Sequence, residues 1–259
     1  MAALALFAVV ERRSRHPMLP LEVFRSRQFT GANLVTLVVY GALGGALFLL
    51  PMQLQRVVGF APLVAGTALI PITVVMLLLS ARAGRLAARI GPRLPMTVGP
   101  LVAGVGLALL VRVGAGASYL TDILPATLVF ALGLSITVAP LTATVLAAAP
   151  TEYAGIASAV YTDVARAAGL LAVAVLPVVS GISGAGALEP ATFGAGFRTA
   201  MLISGVLCAA GGLLAWASIR NPAREPGRAA ADLAEAVETS CPISAPPLRH
   251  GTPAPSSRT

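Results

Sequence analysis

The chain has 259 residues, of which 57% are hydrophobic and 11% are charged, and its mean hydropathy is +0.86. Because a soluble domain typically has about a quarter of its residues charged, this composition excludes a water-soluble globular protein and indicates a lipid bilayer as the main partner. The formal net charge is +8 and all 18 basic residues are arginine, but they lie between apolar blocks, without the basic, aromatic-rich face typical of nucleic-acid binding.

The first apolar run is too short to cross a bilayer. Residues 1–10 would cover about 15 Å as a helix, whereas the hydrocarbon core is about 30 Å thick. The charges of Glu11, Arg12 and Arg13 follow this run instead of preceding it, and no small-residue cleavage site comes after it, so a signal peptide is not indicated. We predict a remnant of a preceding transmembrane helix at 1–10 and an Arg-rich cytoplasmic connector at 11–28.

Six apolar blocks follow, each long enough for a membrane-spanning helix of roughly 20 residues. Short segments rich in glycine, proline and charge separate them. The blocks lie at about 29–51, 62–82, 95–113, 120–149, 154–181 and 197–219. The sequence therefore predicts an all-α integral membrane protein with a six-helix unit at 29–219, in which the first and last three spans could form inverted repeats. The Pro-, Ala- and Ser-rich residues 220–259 are predicted to be a disordered cytoplasmic tail.

The arginines are unequally divided between the two ends of these spans. Fourteen lie in the connector, in the Arg82–Arg93 segment or in the tail, all on one side, and three lie on the other side, at Arg56, Arg112 and Arg198. Arginine-rich loops of membrane proteins remain in the cytoplasm. We therefore expect a multi-pass protein of the cell membrane whose Arg-rich loops and tail are cytoplasmic.

Polar side chains recur along the first span. Asn33, Thr36 and Tyr40 follow one another at near-helical spacing. They could line a cavity for a small-molecule substrate, or they could form hydrogen bonds between helices, as polar residues in membrane helices commonly do. We favour the second interpretation and keep Asn33 and Tyr40 as candidate pathway residues.

The segment between the second and third blocks holds the most specific pattern. It reads Gly84-Arg85-Leu86-Ala87-Ala88-Arg89-Ile90-Gly91-Pro92-Arg93. Its two glycines permit a tight turn and close helix approach, and its arginines can bind helix C-terminal carbonyls or anionic lipid heads.

This segment resembles the loop motif of the major facilitator superfamily, Gly-x-Leu-Ala-Asp-Arg-x-Gly-x-Arg. In the C-terminal half of that family's fold, the loop joins the second and third of six helices. Ala88 stands where the family usually has Asp, which weakens the case for a charge-based lock of the gate. The resemblance implies a gating loop made of Gly84, Arg85, Arg89, Gly91 and Arg93.

Other stretches resemble one branch of the superfamily, the fourteen-helix drug:proton antiporters. They correspond to the connector before its ninth helix, to the start and middle of its twelfth helix, and to its thirteenth helix. These stretches are Arg15–Leu21 with Phe24 and Arg25, then Ser118–Asp122, Val138–Thr142, and Ala154–Ser158 continuing to Arg166. The resemblance covers about residues 1–220. It implies half of a major facilitator fold and efflux of amphipathic drugs or small molecules in exchange for protons.

Asp163 and Arg166 are the charged residues placed well inside a predicted span. They are three residues apart and therefore share a helical face, where they could pair. A charge at membrane depth is costly and by default marks a transport pathway, a proton relay or a buried ion pair. Asp163 would then titrate with proton flow while Arg166 holds substrate or tunes the carboxylate; alternatively, the two form a structural pair that packs this helix against its neighbours. Both interpretations suit a transporter.

No cluster of residues indicates an enzyme, a cofactor or a metal site. His16 lies in the connector, His250 lies in the tail, and Cys208 and Cys241 are far apart. We expect a transporter with no cofactor that needs an N-terminal half as partner, from the same gene or from a separate chain. The alternative is a truncated or accessory membrane protein without transport activity of its own.

Overall fold

The computed structural model describes residues 26–182 and 189–221, and every regular element in these ranges is helical. A π-helical turn (Tyr119–Ile123) precedes α5, and a 3-10 turn (Thr151–Tyr153) precedes α6. The α-helices are α1 (Arg27–Arg56), α2 (Pro62–Thr67), α3 (Ile70–Ile90), α4 (Arg93–Leu110), α5 (Leu124–Ala147), α6 (Ala154–Val179) and α7 (Pro190–Ser218).

Six helical units of this part of the chain are long and apolar enough to cross a membrane. They are α1, α2 together with α3, α4, the π-turn together with α5, α6 and α7. The all-α fold with six spanning helices is therefore confirmed. The predicted helix remnant at 1–10, most of the connector at 11–28 and nearly all of the predicted tail lie outside the described residues.

The first span begins inside the predicted connector. Ser26 caps α1, since its hydroxyl accepts the Phe29 N–H at 3.3 Å. A serine at this position satisfies one of the N–H groups that the first helical turn leaves without a partner. Arg27 is therefore already helical.

Prolines account for the two irregular places within spans. Pro71 has no N–H to donate to the carbonyl of Thr67, and the helix is interrupted there, between α2 and α3. Pro125 likewise cannot donate to Thr121, and the neighbouring N–H of Leu124 bonds to Tyr119 in the wider π-type pattern.

The last span begins earlier than predicted. α7 begins at Pro190 and not at 197. Proline suits this first position because an N–H in the first helical turn has no partner within the helix, so its absence costs no hydrogen bond. Gly196, which the sequence placed in a loop, lies within α7. A Cβ at this position would lie 2.9 Å from the carbonyl oxygen of Ser180. This glycine therefore allows α7 to pack closely against the end of α6.

The spans form two triplets in chain order, α1 with α3 and α4, and α5 with α6 and α7, and the main packing contacts run between the triplets. The main contacts join α3 to α5, α6 to α1, α4 to α5, α7 to α1, and α4 to α7. Exchanging α1 with α5, α3 with α6 and α4 with α7 leaves this set unchanged. At the α4–α7 contact, a Cβ on Gly104 would lie 3.0 Å from the Gly205 carbonyl oxygen, and one on Gly205 would lie 3.3 Å from that of Gly104. This reciprocal packing supports the inverted repeats suggested by the sequence.

The spans differ widely in burial. In their most apolar 18-residue stretches, 50% of the residues in α1 and 56% of those in α5 are buried, against 17% in α2–α3 and 11% in α6. Each of α3 and α6 packs mainly on a single neighbour. A large face of each is therefore uncovered in this chain.

Candidate functional site

Three hydroxyl groups from three helices meet between α1, α5 and α6. The Oη atoms of Tyr40 and Tyr161 are 2.8 Å apart, and Thr142 Oγ1 donates to Tyr161 Oη at 2.9 Å. The two tyrosine rings meet edge to face, with centroids 6.1 Å apart and an interplanar angle of 88°. We name Tyr40, Thr142 and Tyr161 the hydroxyl cluster. It joins the first, fourth and fifth spans by side-chain hydrogen bonds.

Glycines bring α1 close enough to α6 for the cluster to form. A Cβ on Gly44 would lie 2.7 Å from the Cα of Gly169, so the two backbones are almost in contact there. Such small residues allow membrane helices to approach closely. Tyr40 precedes Gly44 by one helical turn and therefore lies on the face of α1 that meets α6.

Asp163 and Arg166 lie on the other side of α6. Successive residues of a helix are about 100° apart, so Asp163 is roughly 200° around from Tyr161. Tyr161 is half-buried toward its neighbours, whereas Asp163 and Arg166 are exposed. Within residues 26–182 and 189–221, neither of the two forms an ion pair. The structure thus places both charges on the uncovered face and does not bring them together with Tyr40.

Asn33 lies apart from the hydroxyl cluster and is only 8% exposed. Its Nδ2 donates to the Phe29 carbonyl at 3.0 Å, and Thr36 likewise donates to Ala32 on its own helix at 2.9 Å. The Oδ1 atom of Asn33 has no hydrogen-bond partner among the described residues. Of Asn33, Thr36 and Tyr40, Tyr40 is thus the one whose side chain bonds to another helix.

The predicted gating loop is mostly helical. Gly84, Arg85 and Arg89 lie within α3, and the turn itself is confined to Gly91 and Pro92. Gly91 has a φ of +91°, a conformation that glycine adopts without strain. The prediction of a loop at 84–90 was wrong because residues 85–89 are arginine, leucine and alanine, which favour a helix, and a single glycine at 84 does not interrupt it.

Arg93 attaches this turn to the end of α7. Its backbone N–H donates to Asn221 Oδ1 at 3.1 Å, and its Nε donates to the Trp216 carbonyl at 3.0 Å. Its guanidinium carbon lies 4.0 Å from the centre of the Trp216 ring, in a cation–π contact. A Cβ on Gly91 would collide with the Asn221 side chain. Arg93 therefore holds two helix ends together, while Arg82, which lies 11 residues earlier and outside these contacts, is exposed.

Thr142 and Tyr161 were not selected from the sequence as site residues. Each is a hydroxyl-bearing residue inside an apolar span, which is a weak signal by itself. Nothing in the sequence shows that two residues 19 positions apart face each other. The described part of the chain contains no group of three His, Cys, Asp or Glu that could hold a metal ion. What the site offers chemically is hydrogen bonding, one carboxylate that can exchange a proton, and one guanidinium.

Comparison with known proteins shows where this arrangement belongs. The family model described as Major Facilitator Superfamily matches residues 3–174. The chain is 31% identical over 186 residues to the Multidrug resistance protein Stp of Mycobacterium tuberculosis. The aligned residues cover 72% of this chain and 34% of that protein. The chain is 30% identical over 222 residues to the Methylenomycin A resistance protein of Streptomyces coelicolor. This alignment covers 86% of this chain and 45% of that protein.

A third relative shows a similar match. The Puromycin resistance protein pur8 of Streptomyces alboniger is 34% identical over 180 residues, covering 68% of this chain and 36% of that protein. The chain thus spans between about a third and a half of the length of these curated relatives.

Proposed function

Since the chain belongs to the major facilitator superfamily, we propose that it is the C-terminal half of a transporter that exports amphipathic drugs or other small molecules in exchange for protons. Members of this family are transporters rather than enzymes. The names of three relatives refer to resistance, and that of a fourth, the Tetracenomycin C resistance and export protein of Streptomyces glaucescens, refers to export. Because the chain spans only part of each, export would belong to an assembly that includes an N-terminal half.

The observation that carries this proposal is the pair of charges on the uncovered face of α6. Asp163 is the tenth residue of α6, about 14 Å along a helix some 39 Å long, and so would lie within the hydrocarbon region of a membrane that α6 crosses. Charged residues at such depth face a water-filled cavity or a protein partner because lipid cannot solvate them. The same face begins with the exposed residues Gly155, Ser158 and Ala159, which suit a cavity or a helix contact better than lipid.

The two charges would have separate roles at the interface between the halves. Asp163 would take up and release the coupled proton, and Arg166 would hold an acidic or polar group of the substrate or tune the carboxylate. Tyr40, on the opposite side of α6, would support the helix through the hydroxyl cluster. Substrate sites of secondary transporters lie near the bilayer midplane between repeats, so this chain would supply half of one.

The assembly would reside in the cell membrane with the Arg82–Arg93 end of its helices in the cytoplasm. The excess of arginine at that end supports this orientation. The tail from 220 onward would then also be cytoplasmic.

Export and proton coupling can be tested together in everted membrane vesicles. The chain would be joined to the N-terminal half of the Methylenomycin A resistance protein, and a pH-sensitive dye would report substrate-dependent proton movement. We expect Asp163→Asn to abolish both proton movement and drug accumulation. Glu152→Gln, which removes an exposed carboxylate ahead of α6, should leave both intact. Full coupled export by the Asp163→Asn variant would exclude Asp163 as the proton carrier.

The second candidate function is an accessory or truncated membrane protein that does not transport. We keep this candidate because the chain spans only 34% of the Multidrug resistance protein Stp and 45% of the Methylenomycin A resistance protein. The same vesicles distinguish the two functions, because the first requires the joined protein to export while the chain alone does not. If the joined protein also fails, although it reaches the membrane intact, the accessory function is supported.

A further inference from the structure

Two apolar grooves lie between the two helix triplets, at equivalent places. One is formed by α3, α4 and α5 and has a volume of about 360 Å³. The other is formed by α6, α7 and α1 and has a volume of about 400 Å³. Exchanging α3 with α6, α4 with α7 and α5 with α1, as in the packing of the spans, converts the first groove into the second. The chain therefore contains two grooves at equivalent positions and of similar size.

The two grooves differ in charge. The groove of α3, α4 and α5 is apolar except for Arg82 at its rim; Leu79, Leu86, Leu94, Val98, Leu132 and Ile136 are among its lining residues. We name it the arginine groove. The groove of α6, α7 and α1, which we name the plain groove, is lined by apolar residues and Ser204, with no charged residue among its described lining.

A cluster of arginines continues the rim of the arginine groove. Arg82, Arg85 and Arg89, with Leu86, line a neighbouring depression of about 360 Å³. Arg82 and Leu86 belong to both spaces, so the cationic depression and the apolar groove adjoin. The three arginines follow at spacings of three and four residues, which places them on one face of α3, and all three are exposed.

We propose that the arginine groove binds an anionic phospholipid. The phosphate would lie against Arg82, Arg85 and Arg89, and an acyl chain would fill the groove along Leu86, Val98 and Leu132. Guanidinium groups present several N–H donors in a planar fork that matches phosphate oxygens. The arginines begin at the end of the apolar part of α3, which is the level at which headgroups meet the hydrocarbon. A free phosphate would use the arginines but not the groove.

Charge complementarity selects this occupant over a neutral lipid. One donor of Arg82 bonds to the Leu78 carbonyl at 2.9 Å, which fixes the side chain while leaving its other donors for a phosphate. Basic clusters at the membrane surface attract anionic headgroups by about a factor of five per residue. The inference rests on the membrane-spanning fold and is independent of the proposed export.

The test uses the purified full-length chain in detergent, with native mass spectrometry to count bound lipids. Phosphatidylglycerol and phosphatidylcholine with identical acyl chains serve as probes. We expect phosphatidylglycerol to be retained in preference, and Arg82→Gln with Arg85→Gln to reduce its binding by on the order of tenfold or more. Arg112→Gln with Arg198→Gln removes the same charge from exposed positions at the other end of the spans and should have little effect.

The acyl site is tested by filling each groove in turn. Val98→Trp narrows the arginine groove and should lower phosphatidylglycerol retention, whereas Val175→Trp narrows the plain groove and should not. Each variant must elute as the wild-type chain does, and the arginine variants provide an independent readout if a tryptophan variant does not. Equal retention of both lipids, equal loss in the Arg112/Arg198 control, or displacement by inorganic phosphate without any effect of Val98→Trp would each overturn the proposal.

Discussion

Tyr161 is the central member of the hydroxyl cluster because its oxygen contacts both Tyr40 and Thr142. Replacing it by phenylalanine keeps the ring and its edge-to-face contact but removes both hydrogen bonds. A hydrogen bond between membrane helices contributes about 0.6 kcal/mol on average and up to about 1.7 kcal/mol. We therefore expect Tyr161→Phe to lower the free energy of unfolding by about 1–2 kcal/mol, measured by thermal unfolding of the purified chain in detergent.

Tyr119 provides the matched control for this substitution. Its hydroxyl makes one long contact, 3.5 Å, with the Ala68 carbonyl near the end of a span. Tyr119→Phe should change the unfolding temperature little, and Tyr40→Phe added to Tyr161→Phe should cost almost nothing more. A similar loss for Tyr119→Phe and Tyr161→Phe would show that the cluster contributes no specific stability.

Single residues were predictable where they break the pattern of their surroundings. Asp163 and Arg166 are conspicuous as charges inside an apolar span, although the sequence alone leaves open whether they pair. The partnership of Tyr40 with Tyr161 was hidden because it depends on which helix faces meet. Asn33 belongs to the same near-helical series as Tyr40, yet its side chain bonds to its own helix. Periodicity therefore predicts which helix face a residue lies on, but not which residue it bonds to.

At the scale of helices, the α1–α6 contact is asymmetric. A Cβ on Gly44 would lie 2.7 Å from the Gly169 backbone, whereas a Cβ on Gly169 would meet nothing within 4 Å. In a helix interior, alanine is favoured over glycine by about 0.5–1 kcal/mol when space permits. We expect Gly44→Ala to destabilise the chain because α1 and α6 must separate, and Gly169→Ala to be neutral or stabilising. Thermal unfolding of the two variants in the same detergent measures the difference.

The same pair of variants controls for helix propensity, because both replace a mid-helix glycine by alanine. Loss of stability in both would mean that close backbone approach is needed from each side. Loss in neither would mean that α1 and α6 lie farther apart than the structure shows.

The helices themselves were largely predictable, since a run of about 20 apolar residues has few alternatives to a membrane span. The errors arose at prolines and glycines. Pro190 and Gly196 were interpreted as loop residues, yet proline fits a first helical turn and glycine fits a tight helix contact. Gly84 was also placed in a loop, although it lies within α3. Local chemistry marks such residues as unusual but does not distinguish a turn from a packing site.

At the scale of the whole molecule, the two triplets share their contacts but not their charges. The exchange of α1–α3–α4 with α5–α6–α7 preserves the packing set and the two grooves. The exposed arginines of α3 belong to the first triplet, whereas Asp163 and Arg166 of α6 belong to the second. The repeat could be suggested from the span count, but the support for it comes from the contacts between helices, which the sequence does not contain. The shared packing fits a common scaffold, and the charges fit separate tasks for its two parts.

The uncovered faces of α3 and α6 lead to a prediction about the native assembly. Asp163 and Arg166 would face lipid if the chain stood alone, which is unfavourable, so we expect it to occur joined to an N-terminal half. The 222 residues aligned with the Methylenomycin A resistance protein are 45% of that protein. An antibody against residues 232–249, used on membranes of the source cells, should therefore detect a product of about twice 26.1 kDa.

The control for this measurement is the same antibody pre-absorbed with its peptide, which should remove the band. A band near 26 kDa would contradict the joined form. Chemical cross-linking in the same membranes would then show which surface is covered: a cross-link from α6 to a second six-helix chain supports a transporter assembled from separate halves. The absence of any cross-linked partner would favour the accessory function, because the charges of α6 would then have to be accommodated by lipid and water alone.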